Sequence, residues 1–138
     1  MTDFPPWEEI EHTADWALRV RGNTLLALFE NAARGMVSLI GGEANPDSDP
    51  VLHRINLNAP DLETLLVDWL TEIIFMTEDQ LMFFEDISVR SLNDLTLDAS
   101  LKGIPDSAFE KHIKAVTYHQ LVIEKHQDYF ETTVVFDV

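Results

Sequence analysis

Hydrophobic residues recur along this chain with two different periods. Trp16, Leu18 and Val20 alternate with Ala17, Arg19 and Arg21, the spacing of a strand with one buried face. Gly22-Asn23 then marks a turn, and Thr24 supplies a helix cap. From there Leu25, Leu28, Phe29, Ala32, Ala33, Met36, Leu39 and Ile40 follow at three- and four-residue spacing, which predicts an amphipathic helix stopped by Gly41-Gly42. Residues 43–50 are polar and turn-rich, and residues 51–58 read as a strand. Pro60-Asp61 opens a second helix, with Asp61 as cap, Glu63 in the first turn, and a stripe of Leu62, Leu65, Leu66, Trp69, Leu70, Ile73 and Ile74. Its opposite face carries Asp68 and Glu72, acids that are simply solvated. After Glu78-Asp79 the period returns to two: a strand over 83–91, a turn at Asn93-Asp94, and alternation of Leu95, Leu97, Ala99 and Leu101. Gly103-Ile104-Pro105-Asp106 breaks the chain, and residues 113–125 and 129–138 read as two further strands.

Helices and strands interleave early, and the C-terminal half is a meander. This indicates an α+β fold, with two helices packed on an antiparallel or mixed sheet, in one domain spanning residues 1–138. The strand-helix-strand theme occurs twice, as an internal duplication would produce, although the two halves share too little sequence to establish one.

Composition narrows the chemistry. With 46% hydrophobic and 25% charged residues, the chain has enough apolar surface to fold and is not of the disordered type. It has no cysteine, which excludes disulfides, a thiolate nucleophile and a thiolate metal site. The start of the sequence lacks a signal-peptide pattern, and no apolar run approaches the ~20 residues that span a bilayer, so the expectation is a soluble cytoplasmic protein without membrane contact. Twenty-five acidic against nine basic residues give a net charge of −16. Nucleic-acid affinity rests on neutralising phosphates, so strong direct nucleic-acid binding is not expected, and a cation or a cationic partner suits the chain better.

Two short segments stand out: Glu11-His12-Thr13-Ala14-Asp15 near the start, and Phe136-Asp137-Val138 at the end. Each places an Asp at the edge of a β-rich stretch, where Asp is disfavoured. Asp15 and Asp137 together suit a hard divalent cation such as Ca²⁺, Mg²⁺ or Mn²⁺, with a main-chain or terminal oxygen of Val138 as a third donor. The plainer reading puts one Asp at a strand start and the other at a strand end, both in water, and residue types alone favour it. A tight hairpin on His126-Gln127 would set Val116 opposite Asp137 and Tyr118 opposite Val135. Lys114 is then a diagonal neighbour of Asp137 on the same face. That turn lacks the preferred Gly and Asn, and a slip of one residue would turn Lys114 away. The histidines His53, His112, His119 and His126 show no His-x-x-x-His or Glu-x-x-His spacing, so a catalytic zinc centre is not expected. There is no Gly-rich phosphate loop, nucleophile elbow or dinucleotide fingerprint either.

These segments resemble the archease family. The Glu11–Asp15 segment looks like the family's N-terminal signature, and Leu28-Phe29-Glu30-Asn31-Ala32-Ala33 is similar to its first helix. Asp61-Leu62-Glu63-Thr64-Leu65-Leu66-Val67-Asp68-Trp69-Leu70 is similar to its second helix. Lys114-Ala115-Val116-Thr117-Tyr118-His119 and Val134-Val135-Phe136-Asp137-Val138 resemble its last two motifs. The resemblance implies a duplicated strand-helix-strand-strand fold. It also implies a non-enzymatic accessory protein of RtcB-type RNA ligases in tRNA splicing and RNA repair, one that promotes ligase guanylylation and multiple turnover. The ligase uses Mn²⁺ and GTP, and GTP then enters only through that partner. By position, Asp15, Asp137 and Val138 match the family's metal site, and Lys114 matches its functionally important lysine. Val138 stands where members often have Ile, a change to which a main-chain ligand is indifferent. Two rival readings stay open: an autonomous divalent-metal phosphoesterase built on the same acids, and a metal-free acidic interaction or chaperone module for RNA-processing enzymes.

Overall fold

The computed structural model describes residues 4–10 and 16–138. Its elements run β1 (Trp7–Ile10), β2 (Trp16–Gly22), α1 (Leu25–Ile40), β3 (Val51–Asn58), α2 (Leu62–Gln80), β4 (Phe83–Asn93), β5 (Thr96–Ile104), β6 (Ala115–Val116), β7 (Glu124–Lys125) and β8 (Phe130–Asp137). Both helix caps form as their residues predict. The Thr24 hydroxyl accepts from the Ala27 amide at 3.0 Å, and the Asp61 carboxylate from the Thr64 amide at 2.7 Å. α1 ends at Gly41, whose φ of 72° lies in the region open to glycine.

The strands form two antiparallel sheets, one ordered β1-β2-β8-β6 with β7 also on β8, the other β3-β5-β4. The duplication is therefore real in topology but nested. In the inserted unit, β3-α2-β4-β5, the first strand pairs with the last and the last pairs with the middle one. In the enclosing unit, β2-α1-β6-β8, the same order holds, with β6 and β7 together taking the place of β4. The inserted unit enters between α1 and β6. α1 packs on β2 of its own unit and β4 of the other, and α2 on β3 of its own unit and β6 of the other.

One core runs through both units. The predicted inner faces are buried in their middles: Leu18 and Val20 on β2, Leu97, Ala99 and Leu101 on β5, and the helix stripes from Leu28 and from Leu65 onward, with Trp16, Leu25, Leu62 and Leu95 at their starts half-buried. Trp69 and Phe29 are fully buried, and the Trp69 indole Nε1 donates to the Phe29 carbonyl at 2.9 Å, tying α2 to α1. Gly35 sits where α1 meets β1 and β2; a Cβ there would lie 2.7 Å from Leu18 and Trp7 side-chain atoms. Only glycine permits so close an approach.

Three expectations are corrected. Residues 113–125 do not form one strand. Only Ala115–Val116 and Glu124–Lys125 pair with β8, and the residues between them leave the ladder. The last loop is residues 126–129, closed by the His126 amide donating to the Tyr129 carbonyl at 2.8 Å, and not a two-residue turn on His126-Gln127. The β4–β5 turn is centred on Asp94 and Leu95, both at positive φ, one residue later than expected. β1, four residues after Pro5-Pro6, gave too short a pattern to predict, and it adds an edge strand to β2.

Candidate functional site

β8 is the central strand of the five-stranded sheet, so its C-terminal end is framed from both sides. On one side Phe136 is the ladder partner of Trp16, the first residue of β2. On the other, Val116 pairs with Phe136 and Ala115 with Asp137. Phe136 and Val116 point into the core, whereas Asp137 and Ala115 are exposed. Side chains alternate along a strand, so this register sends the Asp137 carboxylate to solvent at the outer face.

The register is one residue from the expected one: Ala115, not Val116, faces Asp137. The physical reason is the core. Val116 must share the inward face with Phe136, which is fully buried, and the chain shifts by one to achieve that. Lys114 then lies just ahead of β6 instead of within a long ladder. It is still beside Asp137, because its backbone amide donates to the Asp137 carbonyl at 2.8 Å. Lys114 is exposed, and so is Val138, which follows the last ladder pair. Among the described residues no ion pair joins Lys114 to Asp137. Asp15 and the rest of Glu11–Asp15, including His12, lie outside the described residues.

Sequence reasoning passed over two further features. The Lys111 ammonium lies 5.9 Å from the centroid of the Trp16 ring, which places a second cation near the start of β2. At the opposite end of β8, the ligand atoms of Glu124, His126 and Glu131 come within 4.8 Å of one another. His126 has neither the His-x-x-x-His nor the Glu-x-x-His spacing, so residue spacing does not point to it. The signal that finds this group is the pairing of β7 with β8, which sequence spacing alone does not reveal.

The comparisons with known proteins agree with the fold. Residues 7–138 match the archease protein family. The chain belongs to the archease family. It is 38% identical to protein archease of Methanosarcina acetivorans over 140 residues, covering 96% of this chain and 95% of that protein. Protein archease of Methanopyrus kandleri is 36% identical, with 96% of this chain and 99% of that protein covered. Two solved structures share the architecture. One is the solution structure of Methanobacterium thermoautotrophicum protein 1598, with a TM-score of 0.70 at 24% identity over 96% of this chain and 99% of that one. The other is the crystal structure of an archease from Thermotoga maritima, described as a possible chaperone, with a TM-score of 0.65 at 27% identity over 95% and 96% of the two chains. The α+β archease fold is thus established for this chain. No described helix is long and apolar enough to cross a membrane.

Proposed function

We propose that this archease is a non-catalytic activator of an RtcB-type RNA ligase, acting through the exposed end of β8. In this reading Asp15, Asp137 and a Val138 main-chain oxygen hold a divalent cation, Ca²⁺, Mg²⁺ or Mn²⁺. Lys114 supplies a positive charge beside them, and GTP is bound only by the partner. The observation that carries the reading is the Lys114 amide bonded to the Asp137 carbonyl at 2.8 Å. That bond keeps the lysine and the aspartate at one exposed tip after the register shift. The pairing of Trp16 with Phe136 supports the role of Asp15, since Asp15 directly precedes one partner and Asp137 directly follows the other. The donor set fits the ion: carboxylate and main-chain oxygens suit a hard cation, and neither thiolate nor imidazole is involved. A bound cation would offset the carboxylates and present positive charge to an acidic or phosphate group of the partner.

The tip projects from a chain with a net charge of −16. The long-range field therefore favours a basic docking surface on the ligase over RNA itself. The same charge supports a second reading, in which the protein is a metal-free chaperone-like module.

The test is ligase guanylylation with Asp15→Ala, Asp137→Ala and Lys114→Ala, each checked for folding. Losing one charge-assisted contact at the tip should reduce activation by about tenfold or more. Full activation by all three folded variants would overturn the proposal. Retained activation together with no divalent-ion binding by the archease alone, read by calorimetric titration, would favour the metal-free module. Phosphoester turnover by the purified protein alone would favour the hydrolase.

A further inference from the structure

At the other end of β8 lies a group of residues that the proposed tip does not use. Glu131 and Glu124 are direct cross-strand partners in the β7–β8 ladder, so both carboxylates lie on one face. Like charges directly opposite on a sheet repel, and such a pair persists at lower cost with a cation between its members. His126 begins the loop that follows β7. Its imidazole stacks on the Tyr129 ring, with centroids 4.6 Å apart and planes 24° apart, which fixes the ring's orientation. The imidazole is 38% exposed, yet its Nε2 atom is shielded from solvent and has no hydrogen-bond partner among the described residues. A shielded, unpaired polar atom is uncommon and asks for an explanation.

Nε2 faces Glu131 Oε1 at 3.5 Å. That is too long for a charge-assisted hydrogen bond, which draws N and O to about 2.7–2.9 Å. It matches two donors on one small ion: ligands 2.0–2.1 Å from a tetrahedral metal lie about 3.3 Å apart. The other oxygen of Glu131 is taken by Arg21, whose Nε donates to Oε2. Arg21 is largely buried, at 14% exposure. It is the ladder partner of Glu131 across β2–β8. The guanidinium thus holds the carboxylate with Oε1 turned to the histidine, as partners behind a metal's ligands commonly do.

We propose that Glu124, His126 and Glu131 form a binding site for a late first-row divalent cation of the Zn²⁺ type, with Arg21 as a positioning residue and water completing the coordination. One imidazole nitrogen with two carboxylates differs from the all-oxygen set at the Asp137 end and selects a softer ion. Asp137 is six residues further along β8, roughly 20 Å at strand rise, so the two sites do not share a ligand. The metal would clip β7 to β8. β7 is only two residues long and otherwise depends on little pairing.

The experiment is titration of the metal-free protein with Co²⁺ and Zn²⁺, followed by visible absorption and calorimetry. The wild type should give the intense d–d bands of tetrahedral Co²⁺, displaced by Zn²⁺. His126→Ala should abolish those bands. Glu124→Gln, at an exposed position where folding is not at stake, should weaken binding by at least tenfold, the scale on which even supporting groups act. Asp137→Asn should leave the tetrahedral bands unchanged. Equal binding by wild type and His126→Ala overturns the proposal. So does a weak octahedral Co²⁺ spectrum, or a signal lost in Asp137→Asn and kept in His126→Ala, which assigns the ion to the other end of β8. Because each variant removes one end only, failure of this site is distinguishable from failure of the tip.

Discussion

In the inserted unit every residue of β3 pairs with β5, and β4 follows β5 along its length through two β-bulges. In the enclosing unit the strand in β4's place is cut. β6 contributes two pairs, β7 two more, and residues 117–123 between them face only residues 132–135 of β8. The surplus chain loops outward, through a turn in which the Leu121 amide donates to the Tyr118 carbonyl and Gln120 takes a positive φ. Tyr118, His119, Gln120 and Val122 are left exposed. The two candidate sites bracket this excursion, Lys114 and Asp137 before it, Glu124, His126 and Glu131 after it. One topology thus serves two purposes. The regular copy is scaffold, and the interrupted copy exposes chemistry at both ends of one central strand.

The copies also repair each other's irregular backbone. Glu30 of α1 accepts from the Val89 amide at 2.9 Å, beside the second bulge of β4, and Arg34 donates to the Ile87 carbonyl. Reciprocally, Glu63 of α2 accepts from the Ile123 amide at 3.0 Å, where the excursion returns to the ladder. Thr132 secures the same point by donating to the Val122 carbonyl at 2.8 Å. An unpaired backbone amide away from water is costly, so each helix carries a carboxylate to meet one.

The largest expected effect tests whether the two units are one folding body. Trp69 belongs to the inserted unit, and its indole bonds to α1 of the enclosing one. Trp69→Ala should cost about 3–5 kcal/mol as a large core truncation. Both units should still melt in a single transition by far- and near-ultraviolet dichroism. Two separate transitions would break the comparison and make the units independent domains. Trp69→Phe removes the bond with a smaller loss of volume and should cost less than the alanine variant.

Next in size are the two lending carboxylates. Val89 is buried, so Glu30→Ala strands a shielded amide and should cost about 1–3 kcal/mol. Ile123 is half-buried, water can take over, and Glu63→Ala should cost about 1 kcal/mol or less. Chemical denaturation reads both values. The reverse order would mean that the excursion, not the bulged strand, is the more tightly held.

How far the sequence reveals this molecule follows the same division. β5 and both helices are legible because their burial follows one period, as in Leu97, Ala99 and Leu101 or the stripe from Leu65 to Ile74. The enclosing unit's last hairpin is not. Ile113 and Val116 are buried three apart, with Lys114 and Ala115 exposed between them, a spacing that fits neither strand nor helix over so short a run. The choice of register belongs to Phe136 and its need for an inward partner, a long-range fact that local pattern does not encode. For the site, Asp137 and Lys114 are legible as chemistry and meet through a backbone bond that no residue pattern announces. The Glu124–His126–Glu131 group becomes visible only once β7 is paired. The β4–β5 turn is misplaced by one because Leu95 takes a left-handed conformation that side chains of its type rarely adopt.

The smallest effect sharpens the comparison at the helix caps. α1 is capped by neutral Thr24 and α2 by ionisable Asp61. The Thr64 backbone amide holds the Asp61 carboxyl below its ordinary range, with the Thr64 side chain adding to the effect. A carboxyl whose folded pKa lies below its unfolded value stabilises the fold above the unfolded pKa. That contribution is lost as pH falls through the folded value. Asp61→Ala should therefore lower the melting temperature at neutral pH, and the deficit should shrink as the medium is acidified below about pH 4. Asp61→Asn keeps a capping acceptor and should recover much of the loss, without the acid-range dependence. Thr24→Ala should cost about 1 kcal/mol at every pH, since no proton is involved. If the Asp61→Ala and Thr24→Ala deficits run parallel from acid to neutral pH, the charge on Asp61 contributes nothing. The two caps would then be equivalent.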